Sequence, residues 1–200
     1  AVALLKQLIA TPSFSREEGK TADLLANFLT EQGAMVNRKG NNVWSTNLHF
    51  DPAKPPLLLN SHHDTVKPNS GYTIDPFSPT LTEDKLYGLG SNDAGGALVS
   101  LLACLLYFNS RPELKWNLVF LASAEEEISG KGGVELVWND LPKITAAIVG
   151  EPTLTNIAIA EKGLLVLDCL SIGKAGHAAR VEGVNAIYNA IEDINWFRNY

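Results

Sequence analysis

Three short runs of apolar residues, separated by segments with helical character, constrain the fold of this chain most strongly. The runs are residues 57–59, 116–122 and 146–149, and the apolar stretch 94–108 predicts a buried helix between the first two. Strands that are apolar on both faces lie inside a sheet covered by helices. We therefore predict an α/β fold, with a mixed, largely parallel sheet flanked by helices and all three strands buried.

The remaining segments predict further elements around this sheet. Residues 2–9 and the stretch from Ser15 to Gly33 have helical spacing, and Ser15 and Glu18 are spaced as a capping box. Residues 164–172 predict a longer strand, and 185–199 a helix. We expect these last two elements to open a second, smaller α+β domain.

Composition excludes some classes of protein. Hydrophobic residues make up 46% and charged residues 19% of the 200 positions, which is not the composition of a disordered chain. The net charge of −6 argues against a general nucleic-acid binder. Cys104 and Cys169 lie in apolar runs, which predicts buried thiols without a disulfide and favours the cytoplasm. The stretch 94–108 is shorter than the roughly 20 residues that span a bilayer, so we expect no membrane association.

Acidic and imidazole side chains follow the end of each predicted strand. In open α/β sheets, ligand sites form beyond the carboxyl ends of the strands, so these groups should gather at one edge. They are His62 and Asp64, then Glu125, Glu126 and Glu127, then Glu151, with Asp93 directly before the apolar helix. Taken singly, each has an ordinary interpretation as a surface histidine, a solvated acid or a helix cap. Together they predict a site for zinc, with enough carboxylates for two metal ions.

Five segments carry a more specific resemblance. They are 58–66 (LLNSHHDTV), 88–96 (GLGSNDAGG), 123–127 (SAEEE), 150–153 (GEPT) and 176–179 (GHAA). In this order they resemble the motifs of the dinuclear zinc hydrolases that include acetylornithine deacetylase, succinyl-diaminopimelate desuccinylase, aminoacylase and carboxypeptidase G. The chain departs from the family pattern at Leu89, Gly95 and Arg180, which leaves the substrate open.

The resemblance implies a metal centre and a set of catalytic residues. Two zinc ions, which cobalt can replace, would be bridged by Asp93, with His62 and Glu151 on one ion and Glu127 on the other. Glu126 would be the general base, and Asp64 would orient the His62 ring. His177 would help to stabilise the oxyanion, usually in the active site of a partner subunit.

The resemblance also implies a reaction. We expect hydrolysis of an N-acyl amino acid, with N-acetyl- or N-succinyl-L-ornithine in arginine biosynthesis as the best candidate. The alternatives are a di- or tripeptide exopeptidase, a succinyl-diaminopimelate desuccinylase, or a metal-binding or dimerising fragment without turnover. The substrate would be a small molecule.

The family resemblance predicts a division of the chain as well. Residues 1–162 would be the N-terminal part of a zinc exopeptidase-like catalytic domain, and residues 163–200 the beginning of a lid domain through which a complete protein forms a homodimer. A final histidine ligand is expected beyond these 200 residues, so we expect this piece alone to be poorly active.

Overall fold

A five-stranded mixed sheet lies at the centre of the larger of two structural units. The structure is a computed structural model that describes residues 1–160, 162–177 and 179–200, and the units are Ala1–Ile157 and Ala158–Tyr200. The strands of the larger unit are β1 (Asn37–Lys39), β2 (Asn42–Thr46), β3 (Pro56–His62), β4 (Thr80–Thr82), β5 (Lys85–Tyr87), β6 (Asn117–Ser123) and β7 (Ala146–Val149). Its helices are α1 (Val2–Ile9), α2 (Gly19–Glu31), α3 (Ala97–Phe108) and α4 (Val134–Val137).

The order of the strands in the sheet is β1-β2-β6-β3-β7. Strands β6, β3 and β7 are parallel, whereas β1 and β2 are antiparallel to their neighbours. Strands β4 and β5 form a separate hairpin. The predicted fold class, a mixed and largely parallel sheet flanked by helices, is confirmed.

Strand β6 is buried along its whole length because both faces of the sheet are covered. Successive strand residues point to opposite faces. Leu118, Phe120 and Ala122 pack in a cluster with residues of α1, α2 and α3, whereas Val119 and Leu121 pack in a second cluster with residues of α4. The continuous apolar run that predicted this strand is therefore explained by helices on both sides.

Strand β7 departs from the prediction of a third buried strand. All four of its residues, Ala146–Val149, are exposed. In the part of the chain that the structure describes, β7 pairs with β3 on one side only and forms an edge of the sheet. The apolar run identified the strand correctly but not its position at an edge.

The apolar helix α3 is a helix of the core. By length and composition alone, Ser91–Phe108 could cross a membrane. However, Asp93 and Ala94 leave helical backbone angles within the short irregular segment Ser91–Gly96 that precedes α3. Residues of α3 pack in the cluster beneath the sheet, and those that are buried there are Leu98, Val99, Leu102 and Leu105.

Two local predictions are wrong. Ser15 and Glu18 do not form a capping box, because α2 has no side-chain cap and both side chains bond to distant segments instead. Cys104 and Cys169 are exposed rather than buried. The first cysteine lies within α3 but not among its buried residues, and an apolar run around a helix cannot distinguish the two faces.

The smaller unit contains α5 (Ala186–Asn199), which the helical spacing predicted. The predicted strand at 164–172 is absent from the described residues of this region. The only strand-like pairing described in the unit is a single antiparallel bridge between Lys174 and Val184. A strand requires a partner along its length, and the residues described here supply none.

Candidate metal centre

The register of the parallel strands brings the predicted site residues to one edge of the sheet. His62 ends β3 and lies opposite Ser123, the last residue of β6, so the acidic turn that follows β6 begins beside the histidine. Strand β7 ends one residue before Gly150, and Glu151 therefore emerges at the same edge. Asp93 reaches this edge from the irregular segment before α3.

The His62 ring is held in one orientation by the backbone. Nδ1 lies 2.9 Å from the main-chain oxygen of Asp64, which can only accept, so Nδ1 carries the proton in the neutral ring. Nε2 then faces the cluster, 3.0 Å from Asp93 Oδ1. A histidine fixed through one ring nitrogen presents the lone pair of the other to a metal.

Three of the four predicted ligands converge closely. One ligand atom from each of His62, Asp93 and Glu127 lies within 4.8 Å of the other two. The carboxylate of Glu151, the fourth predicted ligand, lies 3.8 Å from His62 Nε2, and that of Glu126 lies 3.9 Å from it. One imidazole among four carboxylates is a donor set that suits a divalent cation such as zinc.

The electrostatics of the cluster also fit a cation. Burial lowers the pKa of His62, but its hydrogen bond with Asp64 and the nearby acidic charges outweigh burial and raise the pKa to about 9. The pKa values of Glu127 and Glu151 are raised above the usual range, first by burial and then by repulsion from neighbouring carboxylates such as Asp93. Crowded carboxylates of this kind are relieved by a bound cation.

Asp64 is buried beneath the cluster and organises it. Its carboxylate accepts hydrogen bonds from Ser15 Oγ at 2.7 Å and from the backbone N–H groups of Glu126 and Glu127 at 3.1 and 3.2 Å. Burial raises the pKa of Asp64, but hydrogen bonds from His62 and Ser15 outweigh burial and hold it below its usual value. The main-chain oxygen of Asp64 therefore holds the ring together with Asp64 Oδ1, which lies 3.4 Å from the same Nδ1, and the carboxylate also fixes the acidic turn.

The three consecutive glutamates have different environments. Glu125 has a left-handed backbone (φ 52°), and its carboxylate accepts from the N–H of Gly132 at 3.2 Å, within its own loop. A Cβ atom at Gly132 would displace that carboxylate from its position. Glu126 and Glu127 start a 3-10 turn, Glu126–Ile128, and face the cluster.

The remaining sites have simpler descriptions. His177 is exposed in the smaller unit, where its Nδ1 accepts from the N–H of Ala179, and Ala178 of the same motif lies outside the described residues. His63 is buried and bonded to Thr21 and to the carbonyl of Asn41. The departure at Gly95 has a steric reason, since a Cβ atom there would lie 2.5 Å from the carbonyl oxygen of Gly90.

Sequence reasoning did not identify Ser15 and Glu18 as parts of this region. Their spacing suggested a helix cap, whereas Ser15 bonds to Asp64 and Glu18 to the backbone of Glu125. No local pattern signals contacts between residues 49 and 107 positions apart.

Comparison with known proteins gives consistent matches. A sequence profile of "Peptidase family M20/M25/M40" matches residues 58–195. Acetylornithine deacetylase of Proteus mirabilis (strain HI4320) is 36% identical over 202 residues, covering 93% of this chain and 51% of that protein. Succinyl-diaminopimelate desuccinylase of Orientia tsutsugamushi (strain Boryong) is 30% identical over 194 residues, covering 89% and 50%. The chain thus spans about half the length of these curated relatives.

Solved structures with the same fold include two from archaeal and human sources. The M20 family metallo-carboxypeptidase Sso-CP2 from Sulfolobus solfataricus matches with a TM-score of 0.61 at 26% identity, covering 74% of this chain and 36% of that one. Human carnosine dipeptidase 1 matches with a TM-score of 0.62 at 22% identity, covering 74% and 37%.

Proposed function

The chain belongs to the peptidase family M20/M25/M40, and from that premise we propose that it carries the metal-binding half of an amidohydrolase that removes the acyl group from an N-acyl amino acid. The observation that carries the proposal is the convergence of His62, Asp93 and Glu127 at the carboxyl edge of the sheet. A family resemblance alone would not require these side chains to meet, whereas a metal site does.

Two zinc ions, replaceable by cobalt, are the proposed cofactors. Asp93 would bridge them, with His62 and Glu151 completing one set of ligands and Glu127 contributing to the other. The donor types and the raised pKa values of the two glutamates support this assignment. Such metals, when bound, supply a Lewis acid for the amide carbonyl and lower the pKa of water.

Glu126 is the proposed general base. Its side chain is exposed toward the cluster, with Oε2 3.9 Å from His62 Nε2, and its backbone is fixed by Asp64. It would take one proton from the attacking water as the water oxygen bonds to the acyl carbon. When the C–N bond breaks, the same proton passes to the leaving amine, so the products are a free amine and a carboxylic acid, which then releases its own proton to water.

The proposed substrate is an N-acyl amino acid, with N-acetyl- or N-succinyl-L-ornithine as the best candidate. Support comes from relatives at 30–36% identity that are an acetylornithine deacetylase and a succinyl-diaminopimelate desuccinylase. Both names describe removal of an acyl group from the amino group of an amino acid. A peptidase acting on di- or tripeptides is the second candidate, favoured by the structural similarity to a metallo-carboxypeptidase at 26% identity.

The proposal assigns residues 1–162 to the catalytic domain and 163–200 to the start of a lid and dimerisation domain. The boundary between structural units after Ile157 is in keeping with this division. His177 would act from the lid, as a donor to the oxyanion, in a homodimer.

A substrate panel tests the proposal. The protein, expressed with any sequence that flanks these 200 residues and loaded with Zn²⁺ or Co²⁺, is assayed with N-acetylornithine, N-succinylornithine, N-succinyl-diaminopimelate and dipeptides. We expect kcat/KM for the acyl amino acids to exceed that for dipeptides by orders of magnitude; the reverse order would select the peptidase. If the protein binds metal but hydrolyses none of these substrates, the remaining interpretation is a metal-binding or dimerising fragment without turnover.

The same assay tests the general base. Glu126→Gln should bind metal like the wild type and lose at least about a hundredfold in kcat, because general acid–base catalysis contributes roughly 10²–10⁴. Glu113→Gln removes an exposed carboxylate before the amino end of β6 and serves as the matched control. Full activity of Glu126→Gln would rule out this role.

A further inference from the structure

Glu18 is a fully buried carboxylate that the proposed reaction does not use. It lies directly before α2 and is 0% exposed. Burying a carboxylate is costly unless hydrogen-bond donors satisfy its oxygens. Its side chain does not cap α2, so its partners elsewhere in the fold must account for its position.

Those partners come from three separate segments. Oε1 accepts from the backbone N–H of Arg16 at 2.7 Å and from that of Glu125 at 3.1 Å. Oε2 accepts from Asn41 Nδ2 at 2.7 Å. The carboxylate therefore joins the segment before α2, the turn between β1 and β2, and the acidic turn after β6.

Two of these donors belong to residues with unfavourable backbone conformations. Arg16 has a φ of 74° and Glu125 a φ of 52°, a left-handed region that is uncommon for residues other than glycine. Such conformations persist when the surrounding structure determines them. One oxygen of Glu18 binds the N–H of both residues and so helps to hold both conformations.

Glu18 and Asp64 together bind three consecutive backbone amides. Glu18 accepts from the N–H of Glu125, and Asp64 from those of Glu126 and Glu127. The first of these amides directly precedes the proposed general base. The left-handed conformation of Glu125 sets the direction in which the chain enters the 3-10 turn at Glu126–Ile128.

We propose that Glu18 is a positioning residue. Through the backbone of Glu125 it holds in place Glu126, the proposed base, and Glu127, a proposed metal ligand. This role rests on the function proposed above, because it matters for catalysis only if those two side chains act as base and ligand. Glu18 itself is neither a proposed metal ligand nor the proposed base.

Two substitutions at Glu18 remove different numbers of its three hydrogen bonds. Glu18→Gln keeps one oxygen to accept from Arg16 and Glu125, but its NH₂ group faces the donating side chain of Asn41. Glu18→Ala removes all three bonds. Leu29→Ala is the matched control, because Leu29 is also fully buried, lies in the adjoining helix α2 and packs in the core cluster.

The first measurement needs no metal and no substrate. Hydrogen exchange of the Glu125 amide is followed by NMR in the metal-free protein, beside unfolding free energies for all variants. We expect this amide to exchange fastest in Glu18→Ala, less fast in Glu18→Gln, and no faster in Leu29→Ala than its lower stability explains. An unchanged rate for Glu125 in both Glu18 variants would overturn the proposal.

The second measurement separates positioning from stability. In the loaded enzyme, Glu18→Gln should lower kcat by about 10- to 100-fold with little change in KM, as misplaced catalytic groups do. Leu29→Ala should retain kcat where it is folded. If kcat falls equally in both at equal stability, Glu18 is structural only. If the wild type hydrolyses no substrate, the proposed function fails, and the exchange of the Glu125 amide together with Zn²⁺ affinity still tests the role of Glu18 in holding the turn.

Discussion

Titration of the metal-free protein should separate two histidines that are adjacent in the chain. Burial lowers the pKa of both. For His62, the hydrogen bond with Asp64 and the charges of Asp64 and Glu151 outweigh burial and raise the pKa to about 9. For His63, burial dominates over the hydrogen bond with the carbonyl of Asn41, so its pKa lies below the ordinary value of 6.5.

The shift at His62 has a consequence for stability. A displacement from 6.5 to about 9 corresponds to about 3 kcal/mol in favour of the charged ring in the folded state. Because the folded-state pKa is the higher one, this contribution is fully present below pH 6.5 and is lost as the pH rises through 9. The raised pKa values of Glu127 and Glu151 also lower stability as the pH rises, but that separate loss begins at the ordinary glutamate pKa of 4.5, because ionising these groups costs more in the folded protein. The metal-free protein should therefore lose stability between pH 6.5 and 9.

Proton–carbon NMR of the imidazole Cε1–H groups measures these pKa values directly. His62→Gln and His63→Gln assign the two signals. Urea unfolding at several pH values measures how much stability is lost as the pH rises. This pH-dependent loss should be smaller in His62→Gln. A His62 signal that titrates at or below 6.5, or a metal-free stability that rises toward pH 9, would refute the reasoning.

Two further outcomes follow from the geometry. Zinc binding near pH 7 should release about one proton from His62, because a metal ligand must be deprotonated. Calorimetry in two buffers of different ionisation enthalpy measures the number of protons released. The absence of proton release would contradict the assignment of His62 Nε2 as a ligand. Leu25→Ala, at a fully buried position, should lower the unfolding free energy by about 2–5 kcal/mol. Met35→Ala, at a side chain that is 71% exposed, should change the unfolding free energy by less than about 0.5 kcal/mol. Equal effects of the two substitutions in urea unfolding would contradict the described core.

The sheet could be predicted because burial leaves a direct trace in the sequence. Residues of β6 pack against helices on both faces, so residues 118–122 are all apolar, and the strand is recognisable without a neighbour. The convergence of the site could be predicted as well. Parallel strands in register end together, which brings His62 beside the turn after β6.

Contacts between distant segments could not be predicted in this way. Glu125, Glu126 and Glu127 are identical in the sequence, and only the fold gives the first of them a bond to its own loop and turns the other two toward the cluster. The pair Ser15 and Glu18 has the spacing of a helix cap, but stronger partners lie 49 and 107 residues away. Tertiary hydrogen bonds outweighed the local preference.

The exposed cysteines and the exposed strand β7 have a common reason. Apolar character predicts that a segment belongs to a helix or strand of the core, but it does not indicate which of its faces is covered. Cys104 lies on α3 outside the buried set, and β7 pairs on one side only in the described part of the chain.

Zinc binding by the wild type and by Asp93→Asn tests the central claim most directly. Asp84→Asn, which removes the same charge from an exposed turn, is the control. Equilibrium dialysis should show that the wild type and Asp84→Asn bind zinc with equal affinity, and that Asp93→Asn binds at least about tenfold more weakly, since it loses a charged ligand at the centre of the cluster. Equal zinc affinity in all three proteins would contradict a metal site at the carboxyl edge of the sheet.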